Sequence, residues 1–261
     1  MGRAYPSRIV DLSKEIAENP ADPLFMRVRI KHHAHARARW LVRLLGLPFR
    51  LFPKDFAGWA DDTITRMGVH ATTHIDAPWH YGPTDARGTP LPTIEQMPLK
   101  KMFGPGIVFD MTHKRDGEEI TPADLEAALQ GSGAALAPGT IALVRTGRDR
   151  HQGTRDYWKT GTGMSPAATE WLIERGVEVM GIDQWGWDLP FHHQIRRSKE
   201  EGRGDLFWAG HLVGRRRPYW HMEQLRGLDQ LPSHGFDVAV FPLRLKGASA
   251  APARVVAFLY D

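Results

Sequence analysis

The chain has 261 residues, with 34 Lys and Arg against 30 Asp and Glu, a net charge of only +4, 42% hydrophobic residues, thirteen His and no Cys. That length and apolar content suffice for a buried core, and no composition shift marks a boundary, so a single domain over 1–261 is expected. Disulfides and thiolate ligands are excluded, and so small a charge excess, with no helix-turn-helix, zinc-finger or RNA-binding signature, argues against a nucleic-acid partner.

The first residues, Met1-Gly2-Arg3-Ala4-Tyr5-Pro6, lack the apolar core of a signal peptide, and no run of eighteen apolar residues follows; a cytoplasmic protein without a membrane span is expected. Arg8-Ile9-Val10-Asp11-Leu12 reads as a first strand, ended by the polar run to Pro23. The segment 27–50 is strongly basic and reads as helical, with Trp40, Leu41, Leu44 and Leu45 on one face. A helix packed on its own domain, a lid, a subunit contact and a membrane-surface helix all fit it. His32, His33 and His35 within it have no acidic residue close by in the sequence and are not expected to form a metal site.

The stretch from Met67 to His80 puts His70, His74 and His80 with Asp76 inside eleven positions. Run as an extended chain, these four share one parity and point the same way. A helix aligns only His70 with His74, and Pro78 opposes its last turn, while Val69, Thr72, Thr73 and Ile75 favour a pleated backbone. Imidazoles and a carboxylate converging from one face suit a divalent ion such as zinc or manganese. The helical metalloprotease pattern needs Glu directly after the first His, and Ala71 stands there.

Tyr81 to Pro98, rich in Gly, Pro, Thr and Asp, reads as a loop. Then strands at Gly106–Met111, Thr140–Arg145 and Val177–Ile182 alternate with two helices. Thr121-Pro122 opens the first and Gly131 closes it; Ser165-Pro166 opens the second and Gly176 closes it. That order implies crossover connections and an α/β fold. Asp183 follows a strand C-terminus, where either a ligand or a turn can claim it. Phe191 to Arg217 reads as a His- and Arg-rich loop containing His211, with His221 and Glu223 close behind, and two β-like segments, Val238–Leu245 and Arg254–Leu259, finish the chain.

The run His70-x3-His74-x-Asp76-Ala77-Pro78-x-His80 resembles the defining motif of the cyclase superfamily of metal-dependent hydrolases, the group containing bacterial kynurenine formamidase (arylformamidase) and isatin hydrolase. Asp11-Leu12, Leu143–Gly147, Gly181-Ile182-Asp183, Pro242–Ala248 and Pro252-Ala253-Arg254 resemble its other landmarks. The resemblance implies a mixed, partly barrel-like sheet flanked by helices and a homo-oligomer, dimer or tetramer. It implies one or two ions, Zn2+ or Mn2+, with His70, His74 and Asp76 holding one and Asp76 bridging to a second on His211 and Glu223. His80 corresponds to the general acid or base, Glu223 shares the catalytic centre, and His221 is a rival ligand. The implied activity is hydrolysis of an amide, lactam, ester or lactone by metal-activated water. Its rival is a metal-dependent cyclisation, dehydration or isomerisation of a small carbonyl compound. Relative to compact formamidases, 27–50 looks inserted and Gln184-Trp185-Gly186-Trp187-Asp188 replaces smaller residues. Trp79, Trp185 and Trp187 suggest a pocket for an aromatic or cyclic small molecule.

Overall fold

The computed structural model describes residues 5–260. Two compact units are distinguished, one running to Glu15 and resuming at Val69, the other Ile16–Gly68. In chain order the larger unit contributes β1 (Arg8–Asp11), and the smaller contributes β2 (Arg29–His33), α1 (Ala36–Leu44) and β3 (Asp61–Arg66). The larger unit resumes with β4 (His74–Asp76), α2 (Pro78–Tyr81), β5 (Phe103–Asp110), β6 (Glu119–Ile120), α3 (Pro122–Ser132) and β7 (Ile141–Arg145). It continues with α4 (Asp156–Lys159), β8 (Gly163–Met164), α5 (Pro166–Glu174), β9 (Val179–Ile182), α6 (Phe191–Glu201), α7 (Ala209–Arg216), β10 (Trp220–Glu223), β11 (Phe236–Pro242) and β12 (Ala250–Leu259).

Seven strands close into a ring in the order β12-β11-β5-β7-β9-β10-β4 and back to β12. The crossovers through α3, α5 and α6–α7 make β5, β7, β9 and β10 parallel, as such connections require. β4, β11 and β12 join them antiparallel. Closure depends on the length of β12: one edge pairs with β11, while the other is divided between β4 at Ala250–Pro252 and β1 at Val256–Leu259. The mixed, barrel-like sheet flanked by helices is thus present.

Both faces of the parallel strands are apolar because both are covered. Val108, Ile141, Leu143, Val179, Met222, Val238 and Val255 meet in one core gathered from around the ring. Their neighbours Ile107, Phe109, Ala142, Val144, Met180 and Ile182 pack with Leu125, Ala168, Trp171 and Leu172 of α3 and α5 in the other. The predicted caps form: Thr121 and Asp124 make a capping box, and Ser165 Oγ accepts from Ala168 N. Gly133, at φ +68°, ends α3, so Gly131 stays helical; only the left-handed residue releases the chain.

Three expectations change. Phe191–Arg217 is not a loop but carries α6 and α7; Gln, Arg, Lys and Glu propagate a helix without an apolar stripe, and Gly202 at φ +65° caps α6. The stretch from His70 to His80 is extended only over His74–Asp76, because Pro78 starts α2 as its first residue. Within 27–50, strand β2 precedes the helix and pairs with β3. In the unit Ile16–Gly68 only Asp22, Val28 and Ala38 are buried, whereas Trp40, Leu44 and Leu45 are exposed. Among the described residues no helix is long and apolar enough to cross a membrane.

Candidate metal centre

The antiparallel pair β4–β10 builds the centre. Its register sets Asp76 opposite His221 and His74 opposite Glu223, with Ile75 opposite Met222 between them. Side chains alternate, so Ile75 and Met222 enter the ring core while the four polar residues share the other face. α2 then carries His80 round to the i+4 position from Asp76, and α7 brings His211 from its first turn. His70 arrives on the turn that precedes β4.

Each carboxylate has its two oxygens turned to different imidazoles. Asp76 Oδ1 lies 2.9 Å from His70 Nδ1 and 3.2 Å from His74 Nε2; Oδ2 lies 3.2 Å from His221 Nε2, 3.7 Å from His80 Nε2 and 3.9 Å from His211 Nε2. Glu223 Oε2 is 3.6 Å from His74 Nε2, and Oε1 is 3.1 and 3.6 Å from His221 and His211 Nε2. His74, Asp76 and His221 are wholly buried, yet His74 Nε2 and both Asp76 oxygens have no hydrogen-bond partner. Buried polar atoms are rarely left so. A divalent ion is the partner this donor set fits, since neutral imidazole and carboxylate are its ligands and two ligands on a tetrahedral ion at ~2.1 Å stand roughly 3.4 Å apart.

The outward nitrogens are fixed separately. His74 Nδ1 donates to the Thr72 carbonyl at 2.7 Å, which aims Nε2 inward. His211 Nδ1 bonds Asp188, whose carboxylate also accepts from Gly210 N at 2.5 Å and His211 N at 3.2 Å. His70 Nε2 shares a 3.1 Å hydrogen bond with Ser249 Oγ, and His221 Nδ1 meets Tyr81 OH at 3.0 Å. Trp187 N donates to Glu223 Oε1 at 2.8 Å. Such outer partners set tautomer and ring orientation in metal sites.

Charge in the cluster is shared unevenly. Burial works against ionising Asp76, but the surrounding histidines hold its carboxyl well below the usual range. Burial opposes charge on His221 too, and the negative charge of the facing carboxylates, Asp76 and Glu223, overcomes it and lifts the imidazole to about 9. For His80, burial together with His70 and His211 outweighs the pull of Asp76 and brings the imidazole down to about 4. Elsewhere, burial pushes Asp183 up to about 7 against hydrogen bonds from Thr146 and Gly147.

The structure therefore brings together His70, His74, Asp76, His80, His211 and Glu223, and adds His221. Asp183 instead anchors the turn after β7. Trp187 is fully buried and stacks on His221 at 5.0 Å, Trp185 packs against Phe191, and Trp79 is 42% exposed. Trp208 stacks on His211 at 4.6 Å and meets His80 edge-on at 5.1 Å. Its φ of +59°, unfavourable for a bulky residue, gave no sequence signal. Asp188, Tyr81 and Ser249 also escaped sequence reasoning, since their roles depend on which imidazole they reach.

A family model described as "Putative cyclase" matches residues 10–189. The chain belongs to this family. It is 31% identical over 199 residues to a kynurenine formamidase of Bordetella petrii, covering 73% of this chain and 77% of that one. It is 23% identical over 204 residues to an isatin hydrolase of Roseibium aggregatum, covering 74% and 73%. In fold it is similar to isatin hydrolase A from Ralstonia solanacearum, with a TM-score of 0.71 over 97% of this chain and 92% of that one at 23% identity.

Proposed function

We propose that the protein is a metal-dependent hydrolase of a small amide or lactam, with esters and lactones as chemically adjacent substrates, using one or two Zn2+ or Mn2+ ions. The observation that carries this is the pair of buried carboxylates, Asp76 and Glu223, each turned to two sets of imidazoles, with the Asp76 oxygens unpartnered. The similarity to enzymes named kynurenine formamidase and isatin hydrolase supports it. A bound divalent ion supplies Lewis acidity that polarises a carbonyl and makes water acidic near neutral pH.

The ion-holding residues in this reading are His70, His74, Asp76, His211 and Glu223. His80 carries the proton. Its side chain is 25% exposed where that of Asp76 is wholly buried, so it faces the open side of the centre. Neutral at pH 7, its imidazole takes a proton from the attacking water and returns it to the leaving nitrogen or oxygen. Trp208 offers a flat apolar wall beside His80, which favours a cyclic or aromatic substrate. The test is turnover of N-formylkynurenine, isatin and simple aryl lactones in 18O-water by protein purified without chelators. Label in the product marks hydrolysis, whereas an unlabelled, cyclised or isomerised product contradicts it.

A further inference from the structure

We propose that His221 is itself a metal ligand, completing with His211, Asp76 and Glu223 a four-donor site next to the one formed by His70 and His74. This deepens the hydrolase reading above and rests on it. Position comes first: His221 is the cross-strand partner of Asp76 and stands two residues before Glu223 on the same face of β10. Its register therefore sets it beside both carboxylates on one face of the β4–β10 pair.

Geometry follows. From Nε2, the two facing oxygens are 3.2 and 3.1 Å away, and the same oxygens stand 3.9 and 3.6 Å from His211 Nε2. All four donors lie within 4.8 Å of one another and all four residues are buried. Those distances bracket the roughly 3.4 Å between neighbouring ligands of a tetrahedral ion, so a small closure of the cluster brings every donor to bonding distance. Orientation is held as well. The ring stacks on Trp187 at 5.0 Å and on Tyr81 and Tyr219 at 5.5 Å, and Nδ1 is engaged by Tyr81 OH. Only Nε2 is left to face the carboxylates. Two nitrogens and two carboxylate oxygens suit a borderline ion such as zinc.

The alternative is an imidazole that only donates hydrogen bonds to Asp76 and Glu223, and metal binding separates the two. The metal-free chain and its His221→Ala and His221→Gln variants are titrated with Zn2+ against a competing chelator, and with Co2+ while the visible ligand-field bands are recorded. The wild-type chain is expected to take two ions. His221→Ala is expected to keep one at wild-type affinity, to lose more affinity for the second than the roughly 10–100-fold that removing an outer hydrogen-bonding partner costs, and to shift the matching cobalt bands, which such a loss leaves in place. His221→Gln, whose amide oxygen can ligate and whose size protects the fold, recovers part of the affinity but not the wild-type spectrum. Variants that bind two ions with an unchanged cobalt spectrum, at wild-type or reduced affinity, overturn the proposal and leave the hydrolase reading standing. A wild-type chain that takes up no divalent ion overturns both.

Discussion

The half of the centre that holds His70, His74 and His80 comes from eleven consecutive residues, whereas His211, His221 and Glu223 are drawn from α7 and β10 and are steadied by the loop after β9. In the first half local backbone does most of the orienting: the Thr72 carbonyl turns His74, and Pro78 starts the helical turn that returns His80 towards Asp76. In the second half a separate segment is needed, because Asp188 aims His211 and the Trp187 N–H aims Glu223. A motif compact in sequence tolerates distant change; one assembled from distant elements depends on its scaffold.

Asp76 belongs to both halves, so its loss has the largest effect. Asp76→Asn should remove metal and turnover together, checked by metal analysis and a substrate assay on the same preparation. His80→Ala touches the residue proposed to carry the proton. It should keep the wild-type metal content and lose about 10²–10⁴-fold in turnover; a metal-free His80→Ala protein would break the division of roles. Asp188→Asn should spare the first half and weaken metal binding in the second by about 10–100-fold, read by chelator competition. Ser249→Ala, which removes one hydroxyl from His70 Nε2, should cost about tenfold or less in first-half affinity.

The smallest effect on the centre concerns Asp183, which touches neither half. Its folded carboxyl, raised to about 7 from an ordinary 3.8, keeps a proton that the unfolded chain loses. Folding then takes up a proton between those values, so stability is fully present below pH ~4 and declines as pH rises towards 7, by on the order of a few kcal/mol. Asp183→Asn should flatten that slope in denaturant melts across pH 4–7 while leaving metal content unchanged. An Asp183→Asn protein with the wild-type slope would assign the pH dependence to another group.

The alternating strands and capped helices of the larger unit were legible because burial on both faces of a parallel sheet writes continuous apolar runs such as Ile141–Val144. α6 was not, since its sequence of Phe191–Glu201 is almost wholly polar and only the residues flanking it, Pro190 and Gly202, mark its ends. Ring closure turns on one edge of β12 serving both β4 and β1, a division that no residue pattern marks. At the centre, the parity that singled out His74 and Asp76 also applied to His221 and Glu223, but the pairing of the two strands is a tertiary fact. Trp187 shows the opposite error: a tryptophan in a site loop reads as a pocket wall, yet it is buried under His221 and acts through its backbone N–H.

The central claim is that Asp76, Glu223 and the imidazoles around them hold a divalent ion that hydrolysis requires. Exhaustive chelation of the wild-type chain, followed by back-titration with Zn2+ or Mn2+ and turnover measured at each step on whichever substrate of the panel is cleaved, tests it most directly. Turnover should vanish with the metal and return as one to two ions per chain are restored. Full turnover in protein shown to be metal-free would contradict it.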